Sequence, residues 1–438
     1  MNQNPSTQLG AALSGEGRTD VGHGADAGIR GAVMPGFVSR PDAGSAASLR
    51  VLHVYKTYLP DSWGGLENAI FQICSSTGKL GIEHRIISLS RGDTRAISVR
   101  PEVEVHRYPV TVELASCPFS LAALQDFKSQ IGWADVVHYH FPWPFADILD
   151  FQRAADRLPA IVTYHSDIVR QRLLLHLYRP LMYRMLTRSY CIIATSPNYL
   201  ATSAELQKFR DKVSVIPLGL DEHSYPRPDG NRVDKWRARL GADFFLFIGV
   251  LRYYKGLHIL IEAAQRTAAT IVIVGSGPIE NQLRKKAQRM GIKNVHFLGF
   301  VSEEDKIALL VLARALVFPS HLRAEAFGLS LLEAAMCGKP MISSEIGTGT
   351  SYVNIDGETG LVIPPGDAGK LVEAIERLRT DVALAQAMGS AARARYEKLF
   401  MPDCLGKAYA ELYRKAAKSV REASASADVQ YVSAQQDR

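Results

Sequence analysis

The chain has no run of about 20 apolar residues, so no segment of it can cross a bilayer as a single helix. Its first forty-eight residues also lack a signal-type apolar core, because Gly31–Val38 is short and is broken by Pro35. That stretch is rich in Gly, Ala, Ser, Asp and Arg. It is expected to be disordered, since it cannot bury enough apolar surface to offset chain entropy. Cysteine is scarce: five in 438 residues, an odd number with no CxxC pair. This pattern suits reduced thiols in a cytoplasmic protein and gives no reason to expect metal binding through sulfur. Zinc-finger spacing and RNA-type aromatic motifs are missing, which disfavours nucleic acid despite the net charge of +7. The basic balance then fits phosphate-bearing substrates or an anionic membrane surface.

What is present is a regular alternation of short β-branched runs and helical stretches, the pattern of parallel sheets covered by helices. Strands are expected at Leu49–Tyr55, Arg85–Leu89, Val103–His106, Asp135–His140, Ala160–Tyr164, Cys191–Ala194 and Val213–Pro217. Leu218–Val233 breaks the pattern with Gly, Pro and Asp and reads as a linker. A second series follows at Phe244–Val250, Thr270–Val274, Val295–Leu298, Ala315–Phe318 and Pro340–Ser343. The fold class is therefore α/β, with two facing Rossmann-like domains and a ligand cleft beyond the carboxyl ends of their strands. The expected divisions are a disordered extension at 1–48, domains at 49–220 and 221–395, a helix at 396–418 packing back toward the first domain, and a disordered tail at 419–438.

The segment Phe318–Pro340 carries the densest chemistry. A strand ends at Phe318, a loop carries Glu325, and a helix starts near Gly328 with Glu333 about one and a half turns inside it. The N–H groups around Phe327, Gly328 and Leu329 offer partial positive charge to a diphosphate. Two carboxylates flanking that start can accept hydrogen bonds from sugar and ribose hydroxyls. Either one alone would more often be a solvated surface group.

A second turn, Phe247-Ile-Gly-Val-Leu-Arg-Tyr-Tyr-Lys-Gly256, sets Arg252 and Lys255 at a helix start, where positive charge opposes the macrodipole unless an anion is bound. Gly249 and Gly256 free its backbone, and Gly275 and Gly277 form a similar turn after the next strand. The stretch Gly347–Gly360 reads equally as a flap over a ligand or as an ordinary turn.

The Glu-x7-Glu segment, with the Lys255 turn, is similar to the signature of the retaining GT-B glycosyltransferases of family four, and the likeness spans about residues 49 to 417. It implies donor-sugar contact for Glu325, ribose contact for Glu333, phosphate contact for the Phe327–Leu329 backbone and a donor-side role for Gly249, Gly275 and Gly277. It also implies that no metal or other cofactor is required. The family has its arginine directly after the first glycine, where this chain has Val250; Arg252 would replace it from a shifted position. The wording of His53–Tyr58 resembles bacterial O-antigen enzymes that use GDP-mannose or GDP-rhamnose.

On the acceptor side, Gly64 and Gly65 permit a flat backbone at the start of the first helix. His138 and His140 share one strand face; the family's His-x-His-x-Pro pattern assigns His140 to function and leaves His138 as packing. His165 and Asp167 end the next strand and are acceptor-side candidates. The arginine-rich stretch Ile168–Tyr190, split by Pro180, suits either a sheet-covering helix or a membrane-surface helix that grips a lipid-diphosphate acceptor. Taken with these residues, the resemblance implies hexosyl transfer from a nucleotide sugar to a saccharide or lipid-linked saccharide with retention of configuration. The competing readings are a nucleotide-sugar epimerase of similar shape and an inert nucleotide-sugar-binding protein. A dehydrogenase is disfavoured because no GxGxxG follows the first strand.

Overall fold

The computed structural model describes residues 48–436, apart from 63, 115–116, 156–157 and 169–171. The expected N-terminal extension, as far as residue 47, lies outside the described residues, as does Arg170. Sixteen strands are present among the described residues, and in chain order ten belong to the N-terminal half. These are β1 (Leu49–Val54), β2 (Ile82–Ser90), β3 (Ala96–Arg100), β4 (Val103–Pro109), β5 (Val112–Leu114), β6 (Cys117–Phe119), β7 (Val136–Phe141), β8 (Ala160–Tyr164), β9 (Cys191–Ala194) and β10 (Val213–Val215). The C-terminal half holds β11 (Phe245–Ile248), β12 (Ile271–Val274), β13 (Val295–Gly299), β14 (Ala315–Phe318), β15 (Met341–Ser344) and β16 (Gly360–Ile363).

The first sheet has eight strands in the order β10-β9-β8-β7-β1-β2-β4-β3, parallel except for β3, which runs antiparallel to β4. The second has six parallel strands in the order β13-β12-β11-β14-β15-β16. Their near-continuous apolar runs, such as Ile271–Val274 and Ala315–Phe318, are buried along their whole length, as expected where helices cover both faces. In each sheet the strand order reverses beside the first strand, between β1 and β7 and between β11 and β14. A crevice opens at such a reversal, at the carboxyl ends of the strands. All the loops singled out in the sequence leave the sheets at these ends.

The chain differs from its sequence reading in three places. Strands β3, β5, β6 and β16 were not expected; the first three are short and have no fully buried residue, so they carry little apolar signal. The helix expected at 396–418 is two helices, Val382–Leu399 and Pro402–Gln436, separated at Phe400 and Met401. Pro402 has no N–H to continue the first helix and opens the second. The second helix then runs on through the residues expected to form a disordered tail; the segment 403–436 has one glycine, Gly406, and no proline to stop it. Its Leu405, Tyr409, Tyr413 and Ala416 bury against Val51, Ile73, Val136 and Ile161 of the N-terminal half.

Candidate active site

Three loops of the C-terminal half lie backbone to backbone because glycine permits it. A Cβ on Gly256, whose φ is 71°, would sit 1.9 Å from the carbonyl oxygen of Pro319. A Cβ on Gly275 would meet the Gly249 oxygen at 2.1 Å, and one on Gly277 the Leu251 oxygen at 2.5 Å. Gly275 and Gly277 therefore act as spacers between the turns that follow β11 and β12. The Gly256 contact joins the turn after β11 to the loop after β14, and this brings Lys255 onto Glu325.

Lys255 and Glu325 form a buried ion pair, and the Ser320 hydroxyl donates to the same carboxylate oxygen at 3.3 Å. The ammonium also lies over the Phe318 ring, 4.5 Å from its centroid. Burial works against the charged form of Lys255, but the Glu325 carboxylate outweighs it and holds the pKa above the ordinary lysine value. Arg252, in the same turn, is exposed. Its charge reaches Lys255 and, across the cleft, Tyr55.

The helix Leu329–Met336 starts at Gly328, whose φ of 86° favours glycine, and directs its first N–H groups into the same space. Phe327 is buried behind this start, and Gly349 packs on it so closely that a Cβ would fall 2.5 Å from its ring. The Gly347–Asn354 stretch is thus a packed support for the Phe327 turn, tied also by the Gly349 N–H donating to the Ala326 oxygen at 2.8 Å. Glu333 is buried inside the helix. It accepts from Lys306 at 2.7 Å and from the Tyr225 hydroxyl at 3.2 Å. The Asn68 amide of the N-terminal half donates in turn to Tyr225 at 3.1 Å.

Gly64 and Gly65 open the helix Gly65–Gly78, and Gly65 faces the Leu329 side chain, 3.6 Å from where its own Cβ would be. Two helix N-termini therefore meet across the cleft, an arrangement that suits an anion. Glu67 in the first turn is buried and accepts from the Thr57 hydroxyl at 2.7 Å.

His140 requires a correction. Expected at the chemistry, it is fully buried, with Nε2 3.0 Å from His53 Nδ1 and Nδ1 3.0 Å from His165 Nε2. Both ring nitrogens are engaged inside the sheet, because consecutive parallel strands place these residues on one face. His53 continues the contacts to His84 at 3.1 Å, and His84 to the Thr77 hydroxyl at 2.7 Å. His138 stands apart, bonded to Tyr413 at 2.8 Å and to Thr163 at 2.7 Å, a packing role. Two buried groupings, His53 with Cys74 and His84, and His53 with His138 and His140, have ligand-type atoms within 4.8 Å of one another. The ring nitrogens in both groupings are already paired with neighbouring side chains.

Asp167 lies in the wall of the cleft. Its carboxylate accepts from Ser203 at 2.7 Å and Tyr164 at 3.1 Å and pairs with Arg323 across the cleft at 3.1 Å, so it clamps the two halves together. The arginine-rich helix Arg172–Arg188 is continuous past Pro180. Two of its arginines are engaged within the protein, Arg179 with Glu205 at 3.1 Å and Arg184 with Asp150 at 3.2 Å. The site residues that the sequence reading missed are Arg323, Lys306, Tyr225 and the pair His53 and His84. Arg323, two residues before Glu325, His53 and Tyr225 lay inside segments already singled out, but for other reasons.

Comparison with known proteins agrees with this geometry. The model described as Glycosyltransferase Family 4 matches residues 63–224, and that for glycosyl transferases group 1 matches residues 231–395. The D-rhamnosyltransferase WbpZ of Pseudomonas aeruginosa is 53% identical over 352 residues, covering 80% of this chain and 92% of that protein. The O-antigen chain mannosyltransferase C of Escherichia coli is 46% identical over 365 residues, covering 83% and 98%. Among solved structures, the lipopolysaccharide glycosyltransferase WaaG superposes with a TM-score of 0.62 at 19% identity, covering 83% of this chain and 99% of that one. Anabaena HepE, solved with UDP and glucose, gives a TM-score of 0.67 at 18% identity, covering 84% and 100%. Strand order, strand-end loops and sequence agree that the chain belongs to the family four glycosyltransferases, hexosyltransferases of the GT-B fold.

Proposed function

We propose that the protein transfers a mannosyl or rhamnosyl group from a GDP-linked sugar to a glycan or lipid-linked saccharide acceptor, with retention of configuration, in cell-surface polysaccharide synthesis. The observation that carries this reading is the buried Lys255–Glu325 pair, set beside Arg252 and the helix start at Leu329. The names of the 53% and 46% identical relatives support the sugar and the pathway. In this reading Glu325 accepts from donor-sugar hydroxyls and Glu333 from the ribose. Lys255, Arg252 and the Phe327–Leu329 N–H groups stabilise the charge of the departing diphosphate, a preorganised electrostatic role. The acceptor hydroxyl attacks on the face that the leaving group vacates, and the leaving phosphate oxygen takes its proton. These cations supply the positive charge that a metal ion would otherwise provide. No described helix is long and apolar enough to cross a membrane. The basic surface favours work at the cytoplasmic face of an anionic membrane.

The test is turnover of GDP-, UDP- and ADP-sugars with a saccharide acceptor, with the anomeric configuration of the product read by NMR. Transfer from GDP-mannose or GDP-rhamnose with retention, lost in Glu325→Gln, is the expected result. An inverted product, or donor consumption without acceptor as in an epimerase, overturns it.

A further inference from the structure

The buried contacts Thr77–His84–His53–His140–His165 form one unbranched chain whose proton order can be worked out from its inner end. The Thr77 hydroxyl lies 2.6 Å from the Ile73 carbonyl oxygen, one helical turn back. A carbonyl cannot donate, so the single hydroxyl proton of Thr77 must lie in that contact. Thr77 Oγ1 therefore accepts from His84 Nε2, 2.7 Å away. A neutral imidazole has one N–H, which leaves His84 Nδ1 bare to accept from His53 Nε2 at 3.1 Å. The same step repeats twice: His53 Nδ1 accepts from His140 Nε2 at 3.0 Å, and His140 Nδ1 from His165 Nε2 at 3.0 Å. This order makes all four rings the Nε2–H tautomer, and among the described residues the chain ends on an unprotonated Nδ1 at His165. Burial favours the neutral state on which this order depends: all four rings have pKa values below the ordinary histidine value, to about 3 for His84 and His165.

His165 is the member nearest the cleft. It follows β8 directly, two residues before the Asp167 that pairs with Arg323 of the opposite half. We propose that a buried imidazole chain anchored at Thr77 dictates the tautomer of His165, the acceptor-side candidate of the sequence, so that this ring can meet a substrate only as a hydrogen-bond acceptor for a hydroxyl. His140, His53, His84 and Thr77 are positioning residues in this scheme. Specificity follows: a substrate hydroxyl can donate to His165, whereas a fluorine or a carbonyl oxygen in its place leaves two acceptors facing each other. This inference rests on the reading of the cleft as a sugar site, but its first test does not.

That test is a long-range proton–nitrogen correlation spectrum of the full-length protein with 15N-labelled histidine, with His165 assigned by its loss in His165→Gln. The expected result is the Nε2–H tautomer for all four rings, and for His165 it must hold without any substrate. An Nδ1–H tautomer at His165 overturns the proposal. So does a stoichiometric metal ion in the purified protein that is lost in both His53→Gln and His84→Gln, since it would occupy the same nitrogens. The second test removes the anchor. Thr77→Val deletes the inner acceptor, which frees the chain to reverse and to place a proton on His165 Nδ1; kcat/KM should fall ~10–100-fold. Thr77→Ser restores the hydroxyl and should recover most of the activity together with the tautomer. If Val and Ser variants give the same tautomers and the same kcat/KM, the positioning role is wrong. Failure of transfer with every sugar nucleotide, with the Nε2–H pattern intact, would instead count against the proposed function.

Discussion

Five fully buried neutral histidines make the fold acid-sensitive in a window where few other groups titrate. His53, His84, His138 and His140 lie within the first sheet and His165 directly after β8, and burial holds each ring below the ordinary histidine pKa, with neighbouring imidazoles adding to this for His53, His138 and His140. In the unfolded chain each titrates near 6.5. Below that pH the unfolded state binds more protons than the native one, so stability falls as pH falls, from about 6.5 toward about 3. Between pH 7.5 and 5.5 each ring accounts for a loss of roughly 1.4 kcal/mol, and the five together about 7 kcal/mol. That compares with a total stability of about 5–15 kcal/mol for a typical folded protein. Carboxylates contribute mainly below about pH 5, which is why the window stops above it. The assay is urea unfolding at pH 7.5, 6.5 and 5.5 at constant ionic strength, with proton uptake on unfolding measured at pH 5.5. About four to five protons should be taken up per molecule. Uptake below about two, or a stability change under about 2 kcal/mol across the window, would show that these rings are not held neutral and buried.

Three further outcomes follow from the cleft. Lys255→Met leaves the Glu325 carboxylate buried without its partner and should cost ~3–5 kcal/mol, whereas Lys255→Met with Glu325→Gln should recover most of that stability but no activity; a double-mutant cycle by thermal unfolding checks this. Gly256→Ala forces an alanine into left-handed backbone against the Pro319 oxygen, so thermal unfolding should show a loss of ~2 kcal/mol or more, and kcat should fall ~100-fold as Lys255 shifts from Glu325. Arg323→Ala opens the clamp to Asp167 while leaving that carboxylate bonded to Ser203 and Tyr164, so stability should drop by only ~1 kcal/mol. KM for the acceptor should rise several-fold in steady-state kinetics, with kcat less affected.

Much of the architecture was readable along the chain because buried parallel strands write themselves as local apolar runs. The Lys255 turn and the Glu325–Glu333 segment were readable for a related reason, since each lies within one strand-end loop and its helix. What failed was anything assembled between strands. His53 and His140 are 87 residues apart in sequence and come together because β1 pairs with β7 in register, His53 opposite His138. No local spacing encodes that register, so His140 looked like a strand-end side chain free to reach a ligand. The partner of Asp167 was unreadable for the same reason: Arg323 reaches it from the loop after a strand of the other sheet. Exposed strands such as β5 gave no signal because solvent tolerates almost any residue there.

The polypeptide passes between the two halves at Gly219–Leu220 and again at Phe400, and the two passages touch. The Leu220 N–H donates to the Phe400 oxygen at 3.0 Å, and the Tyr396 hydroxyl donates to the Leu220 oxygen at 3.0 Å. A Cβ on Gly219 would lie 2.8 Å from that same Phe400 oxygen. Two crossings bonded side by side act as a single pivot pin rather than two separate leashes. An opening motion that preserved these bonds would be a swing about that pin, and it would break the Arg323–Asp167 pair together with the Thr202–Gly347 and Asn198–Ser351 hydrogen bonds. A swing of that kind is therefore resisted by contacts that the two halves make at the carboxyl ends of their strands.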